Sequence, residues 1–520
     1  MLALPTIPQS VATHAVLHPE KLAVRDSQRS LTYRLWDERT NRLANALTGI
    51  GLRKGDRVAI LAYNCIEWME IYVALGKAGL IAVPVNFRLL AEEIRYIVED
   101  CGATAFIVQD QLLDRVEGIR DDLDIEGNCF VCFGGQATES RYQSYESLIA
   151  AGQSGAPNVE VVPTDPWAIM YTSGTTGRPK GAIRSHASHS SLGLVIAYDM
   201  GFLSDETWLS VMPLCHVNSL YFMGAYAVIG GSCYVYDRQS FDPEHLLRTM
   251  AVEGAAFTSL VPTHYMEMLG LPAAVKARCD VSRVRKLLIS SAPARRETKL
   301  AIMEYFRNSQ LFEAYGSTEA GVVTLLRPDE QLTHLGSIGR ELTCTGRMRL
   351  LDDNGVDVPE GEPGELFSHT PFVFDGYWNL PEKTAEAFRG PYCSVGDMAR
   401  RDEQGFYYLV DRKSNMIISG GLNVYPSEVE ALLCQHPSVK DVAVIGIPHE
   451  KWGESVHAAV IVHNDHPVPA DELLEWCRNR IAGYKRPRSV SFICEEEMPR
   501  TSTGKIVHRA LRGRMYGPAS

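Results

Sequence analysis

Tyr171-Thr-Ser-Gly-Thr-Thr-Gly-Arg-Pro-Lys-Gly181 sets the reading of the whole chain. Its eleven positions hold three glycines, three threonines, a serine and a lysine, a mixture that no helix or strand interior favours. Glycines such as Gly174 and Gly177 let the backbone turn sharply and approach a ligand. Successive N–H groups in such a turn form a concave nest for anionic oxygens. The hydroxyls of Thr172, Ser173, Thr175 and Thr176 add donors, and Lys180 adds a point charge suited to phosphate. A plain surface loop has a similar composition, so the flanks decide. Ala168-Ile-Met-Tyr171 reads as a buried strand, and an apolar-periodic stretch begins near Ser188. A phosphate loop belongs after a strand in an α/β fold. The order of residues is neither G-x-x-x-x-G-K-[ST] nor G-x-G-x-x-G.

The chain has 520 residues, too many for one ordinary core, so two or more domains are expected. Its 45% hydrophobic and 22% charged content is that of a soluble globular protein. A formal charge of −12 leaves no basic footprint for nucleic acid. Any polyanion must therefore be bound by local cations and N–H groups against the overall field. Met1-Leu-Ala-Leu-Pro-Thr-Ile-Pro lacks the basic start and long apolar run of a signal peptide, so a cytoplasmic location is expected. The 12 cysteines are then expected to be reduced, with Cys129 and Cys132 as buried core thiols. His186 and His189 read as a helical surface pair rather than a metal site. No apolar run reaches the length of a membrane span. The run Leu220 to Ile229 reads as a buried helix.

Residues up to about 160 alternate strand and helix. Arg57 to Leu61, Ile81 to Val85 and Ala105 to Val108 are short apolar runs, hence strands. Asn64 to Gly79 and Leu90 to Asp100 have helical spacing. That order argues for an α/β fold with a mostly parallel sheet and helices on both faces. The run ending Val83-Pro-Val-Asn-Phe-Arg88 is read as scaffold, and Gly127 to Pro163 as a loop-bearing connection.

Leu311-Phe-Glu-Ala-Tyr-Gly-Ser-Thr-Glu-Ala-Gly321 is the second strong signal. Tyr315 offers a flat face to a purine, Gly316 permits close backbone approach, and Thr318 can donate to phosphate. Glu319 is a hard oxygen ligand of the kind Mg²⁺ takes while keeping most of its waters. Lys286 to Ala294 reads as a buried strand ending in small residues, including Ala292 and Pro293, which leave space for a ligand.

Together these stretches resemble the adenylate-forming (ANL) superfamily, in particular its AMP-dependent acyl-CoA synthetases. The resemblance extends from about residue 10 to 512 and rests on six motifs in the family's order. It implies a large N-terminal AMP-binding domain over 1–411 and a small mobile α+β lid over 412–520, hinged at about 413–414. The Thr-rich loop and Lys180 would hold the β- and γ-phosphates of ATP, and Ala292 and Pro293 would lie against adenine. Pro213-Leu-Cys-His216 resembles the motif lining the acyl pocket, with His216 near the acyl carbonyl. Gly396-Asp397 resembles the pair whose carboxylate binds the ribose hydroxyls, with Val395 where the family often has Thr. Arg412 would reach ribose and phosphate, and Gly420 and Gly421 would border the pantetheine tunnel. Lys505 resembles the catalytic lysine. Ser414 stands where the family more often has Asp or Lys.

The activity so implied joins a mostly apolar monocarboxylic acid, fatty or aromatic, to CoA through an acyl-AMP, with Mg²⁺ and with ATP and CoA as co-substrates. Passage of the acyl group to a carrier protein or another acceptor is one alternative. A non-catalytic nucleotide-binding protein is another. A homodimer is left open.

Overall fold

The computed structural model describes residues 4–135, 141–172, 178–290, 292, 294–463, 467–478, 480–501 and 504–516. The described residues of 4–172, 178–347 and 368–393 form one compact unit, and those of 348–367 and 394–516 a second. The expected boundary between 411 and 412 falls inside the second unit, at the end of the strand Tyr407–Arg412.

The first unit contains two large mixed sheets. One orders its eight strands as Gly376–Tyr377, Lys180–Ser185, Pro166–Thr172, Ile81–Val85, Arg57–Leu61, Ala105–Gln109, Phe130–Phe133 and Gln143–Ser144. Its pairing is parallel from Pro166–Thr172 onward and antiparallel at the Lys180–Ser185 end. The parallel strands are apolar on both faces because both faces are covered. The other sheet has nine strands, with the parallel run Ser232–Val235, Thr207–Ser210, Phe257–Leu260, Lys286–Ile289 and Gln310–Ser317 at its centre. One continuous core joins side chains of both sheets to the helices Ile66–Ala78, His186–Asp199 and Val217–Ile229. Ser185 caps the second of these helices by accepting from Ser188 N, and Gly230 ends the third in the left-handed region.

One sequence expectation fails here. His186 and His189 are not on the surface: both are buried against Trp167, with ring centroids 5.6 and 4.8 Å from it. The helix that carries them is packed on several sides, so apolar periodicity could not mark one solvent face. The connection from Gly127 to Pro163 holds the strand Phe130–Phe133, the short edge strand Gln143–Ser144 beside it, and the helix Tyr145–Ala151, capped by Ser144.

The second unit is α+β. Four antiparallel strands, Arg349–Leu351, Gly364–Phe367, Asp397–Arg401 and Tyr407–Arg412, make one sheet. The long hairpin Val439–His449 and Gly453–Val462 anchors the other, and Ser489–Phe492 adds a parallel strand that the sequence did not suggest. The helices Pro426–Leu433 and Ala470–Trp476 cover its core.

None of the 12 cysteines is in a disulfide; Cys344 in the first unit and Cys494 in the second are exposed, Cys434 is half-buried, and the others are buried. Among the described residues no helix is long and apolar enough to cross a membrane.

Candidate active site

Ser173, Gly174, Thr175, Thr176 and Gly177 lie outside the described residues, as does Pro293. The two ends of the Thr-rich loop are nonetheless defined. Thr172 closes one strand, Lys180 opens the next, and the two residues pair directly across an antiparallel ladder. The Thr172 hydroxyl donates to the Lys180 carbonyl at 3.4 Å. Thr172 and Lys180 therefore stand side by side near one edge of the sheet.

That edge meets the strand Gly376–Tyr377, which pairs antiparallel with Lys180–Ser185. Trp378 N donates to Gly181 O at 2.7 Å, and Asp375 N to Ile183 O at 3.0 Å. Tyr377 is fixed by this pairing. Its hydroxyl donates to Glu319 Oε1 at 2.7 Å, and its ring centroid lies 4.0 Å from Lys180 Nζ. Burial lowers the Lys180 pKa, and Glu319 pulls it back up. Glu319 is buried, and its carbonyl accepts from Phe374 N at 2.7 Å. One buried carboxylate, one lysine and one tyrosine thus share a few ångströms beside the loop ends.

Around Glu319, the hairpin of Gln310–Ser317 and Gly321–Leu326 shifts register between Tyr315 and Gly316. A Cβ at Gly316 would stand 2.2 Å from Gly321 O, so the hairpin itself demands glycine there. Tyr315 and Thr318 are half-buried. Arg184 donates from Nη1 to the carbonyls of Thr318 and Glu319, each at 3.3 Å. Ala292 is exposed after the strand Lys286–Ile289, its N donating to Ser290 O at 2.9 Å.

His216 is the N-terminal cap residue of the helix Val217–Ile229 and makes no side-chain cap bond. Burial, reinforced by Arg88, pushes its pKa down to about 4. It is therefore neutral at pH 7. His264, stacked on Phe241 at 4.0 Å, is pushed to about 4 by the same two influences. Arg88, read as scaffold, thus acts on two histidines.

In the second unit Asp397 and Arg412 sit directly opposite one another in an antiparallel pair. Arg412 Nε is 3.2 Å from Asp397 Oδ1. Lys505 is tied to Thr501: Thr501 N donates to Lys505 O at 2.7 Å, and Lys505 N to Thr501 Oγ1 at 3.1 Å. The residue is exposed overall, yet its ammonium end is crowded; burial lowers its pKa, Arg412 lowers it further, and Asp397 raises it. Three of the sequence candidates are thereby brought into one electrostatic group. Lys413 Nζ reaches Asp353 at 2.8 Å and Glu365 at 3.1 Å, while Ser414 is exposed in the following turn. Gly420 and Gly421 form a two-residue hairpin turn with φ of +60° and +80°. A Cβ on Gly420 would also meet the Trp452 ring at 2.8 Å.

Residues 11–378 match the family described as AMP-binding enzyme, and 428–505 match the AMP-binding enzyme C-terminal domain. The chain belongs to the adenylate-forming ligases. The ligase is 35% identical to a feruloyl-CoA synthase of Amycolatopsis sp over 96% of its own length and 97% of that protein's. It is 33% identical to a long-chain-fatty-acid–CoA ligase of Mycobacterium tuberculosis, over 93% and 92% of the two chains. Among solved structures, an anthranilate CoA ligase in complex with anthranoyl-AMP superposes with a TM-score of 0.87 at 26% identity, covering 99% of this chain and 98% of that one. An o-succinylbenzoate CoA synthetase from Bacillus subtilis bound to its acyl-adenylate gives 0.85, also at 26% identity, over 98% and 99%. The ligase therefore performs ATP-dependent, AMP-forming activation of an acid for transfer to a thiol.

Sequence reading missed Tyr377 and Arg184. Tyr377 belongs to a two-residue strand with no periodicity to detect. Arg184 was legible in principle, because strand alternation puts Lys180 and Arg184 on one face.

Proposed function

We propose that the protein is a CoA ligase for a mostly apolar monocarboxylic acid, fatty or aromatic, working through acyl-AMP. The buried Glu319 carboxylate, held by a neutral tyrosine beside Lys180, carries this reading.

One oxygen of Glu319 takes the Tyr377 hydroxyl and the other remains for a cation. Among the described residues no three metal-ligating side chains cluster. A single carboxylate fits Mg²⁺, which keeps waters and phosphate oxygens as its other ligands. Glu319 would hold the ion, which would supply charge neutralisation to the phosphates. Lys180 and the Thr-rich loop bind the β- and γ-phosphates. Asp397 accepts from the ribose hydroxyls, a role a two-oxygen acceptor performs well. Arg412 binds ribose and phosphate, Tyr315 stacks on adenine, and the backbone near Ala292 and Gly316 borders the base.

The acid is already ionised at pH 7 and needs no base. Its oxygen attacks the α-phosphorus, and Lys505 neutralises charge on the acyl oxygen and that phosphate. His216, neutral, stands by the acyl carbonyl. For the thiol step the C-terminal lid turns about 413–414, withdraws Lys505, and presents Gly420 and Gly421 to the pantetheine arm.

Lys505→Ala tests the assignment. Acyl-AMP formation should fall by about 10²-fold or more, while thioester formation from supplied acyl-AMP should persist. Equal loss of both half-reactions overturns the role. Acyl-AMP turnover indifferent to CoA would point to another acceptor.

A further inference from the structure

The strand that begins at Lys180 carries a second cation on the same face, four residues on. Arg184 has 0% of its surface exposed. Its Nη1 donates to the carbonyls of Thr318 and Glu319. Its Nε and Nη2 are buried with no hydrogen-bond partner among the described residues. The Tyr221 ring lies 5.5 Å from the guanidinium carbon, and the Tyr221 hydroxyl donates to Ser317 O at 3.1 Å. Arg184 and Tyr221 together therefore hold three consecutive carbonyls, those of Ser317, Thr318 and Glu319.

A guanidinium cannot shed its proton. Burying one with no carboxylate at ion-pair distance among the described residues is costly, although its charge does reach Asp375. An arginine serving packing alone would be cheaper as methionine or leucine. Its charge faces main-chain oxygens of two residues whose side chains point to nucleotide chemistry.

We propose that Arg184 is a positioning residue for the triphosphate: it fixes the main chain at Thr318 and Glu319, hence the aim of hydroxyl and carboxylate. Its permanent charge also adds to the positive potential around Glu319. The inference rests on the reading of Glu319 as the phosphate-side carboxylate.

The experiment uses the full-length protein and compares Arg184→Met, Arg184→Lys and Glu319→Gln. Initial rates are measured against ATP, acid and CoA, with equilibrium binding of ATP and of AMP. Arg184→Met should raise KM for ATP by about tenfold, weaken ATP more than AMP, and leave KM for CoA unchanged. Arg184→Lys should recover ATP binding in part through its charge while kcat stays low, because one ammonium cannot reproduce the planar fork. Wild-type ATP dependence in Arg184→Met overturns the proposal. So does equal weakening of ATP, AMP and CoA with a lowered unfolding temperature, the mark of a purely structural role. If Arg184→Met does not fold, Arg184→Lys decides alone: wild-type kcat and KM there overturn it. Unchanged ATP dependence in Glu319→Gln would instead remove the underlying reading of the site. A changed one beside unaltered Arg184 variants removes only this inference.

Discussion

Glu319 in the first unit and Asp397 in the second both present carboxylates, yet the protein holds them differently. Glu319 is partnered by a neutral hydroxyl and tied through its carbonyl to Phe374 and Arg184. Asp397 is partnered by a cation, Arg412, whose side chain is 45% exposed. A carboxylate bonded to a neutral donor keeps its negative charge for an incoming cation. One paired with arginine has that charge cancelled locally and offers directed acceptors and donors. The first arrangement suits a metal ion with phosphates; the second suits uncharged hydroxyls beside a phosphate.

The largest expected effect breaks this contrast at its charge. Glu319→Gln should lower kcat for acyl-AMP formation by about 10²- to 10³-fold. Asp397→Asn should cost only about tenfold, chiefly in KM for ATP. Pyrophosphate-release rates at varied ATP and Mg²⁺ measure both, and equal losses would erase the distinction. A smaller effect sharpens it. Tyr377→Phe keeps an aromatic ring by Lys180 but removes the hydroxyl that aims Glu319. It should cost about threefold to tenfold, read as an increased Mg²⁺ requirement with KM for CoA unchanged. The smallest effect concerns Lys505, whose pKa is lowered by burial and by Arg412. A lysine that works protonated loses activity as pH rises through its pKa, so the alkaline limb of acyl-AMP formation should come earlier than for an ordinary lysine. Arg412→Gln removes one lowering influence and should move that limb to higher pH. A limb that stays put would separate Lys505 from Arg412.

Much of this was legible from sequence, for reasons that differ by region. The strands Arg57–Leu61 and Ile81–Val85 announce themselves because both faces are buried and their runs are unbroken. Gly421 belongs to a glycine pair that marks a turn, and the structure has a hairpin turn there. The pairing of Asp397 with Arg412 was not legible, since cross-strand register joins residues fifteen apart through a hairpin carrying a bulge. Nor was the burial of His186 and His189, because a histidine's environment is set by what packs on it. The influence of Arg88 on His216 and His264 likewise links three distant segments.

The distribution of thiols has a practical consequence. Cys344 and Cys494 are the accessible pair, one on each unit, while the remaining cysteines are buried or half-buried. Hydrogen bonds to Glu497 and Glu496 raise the Cys494 pKa, so it presents less thiolate and reacts more slowly. Maleimide dyes added in sequence would mark Cys344 first and Cys494 second. The unaltered polypeptide then carries its own molecular ruler, on which energy transfer can follow inter-unit distance turnover by turnover.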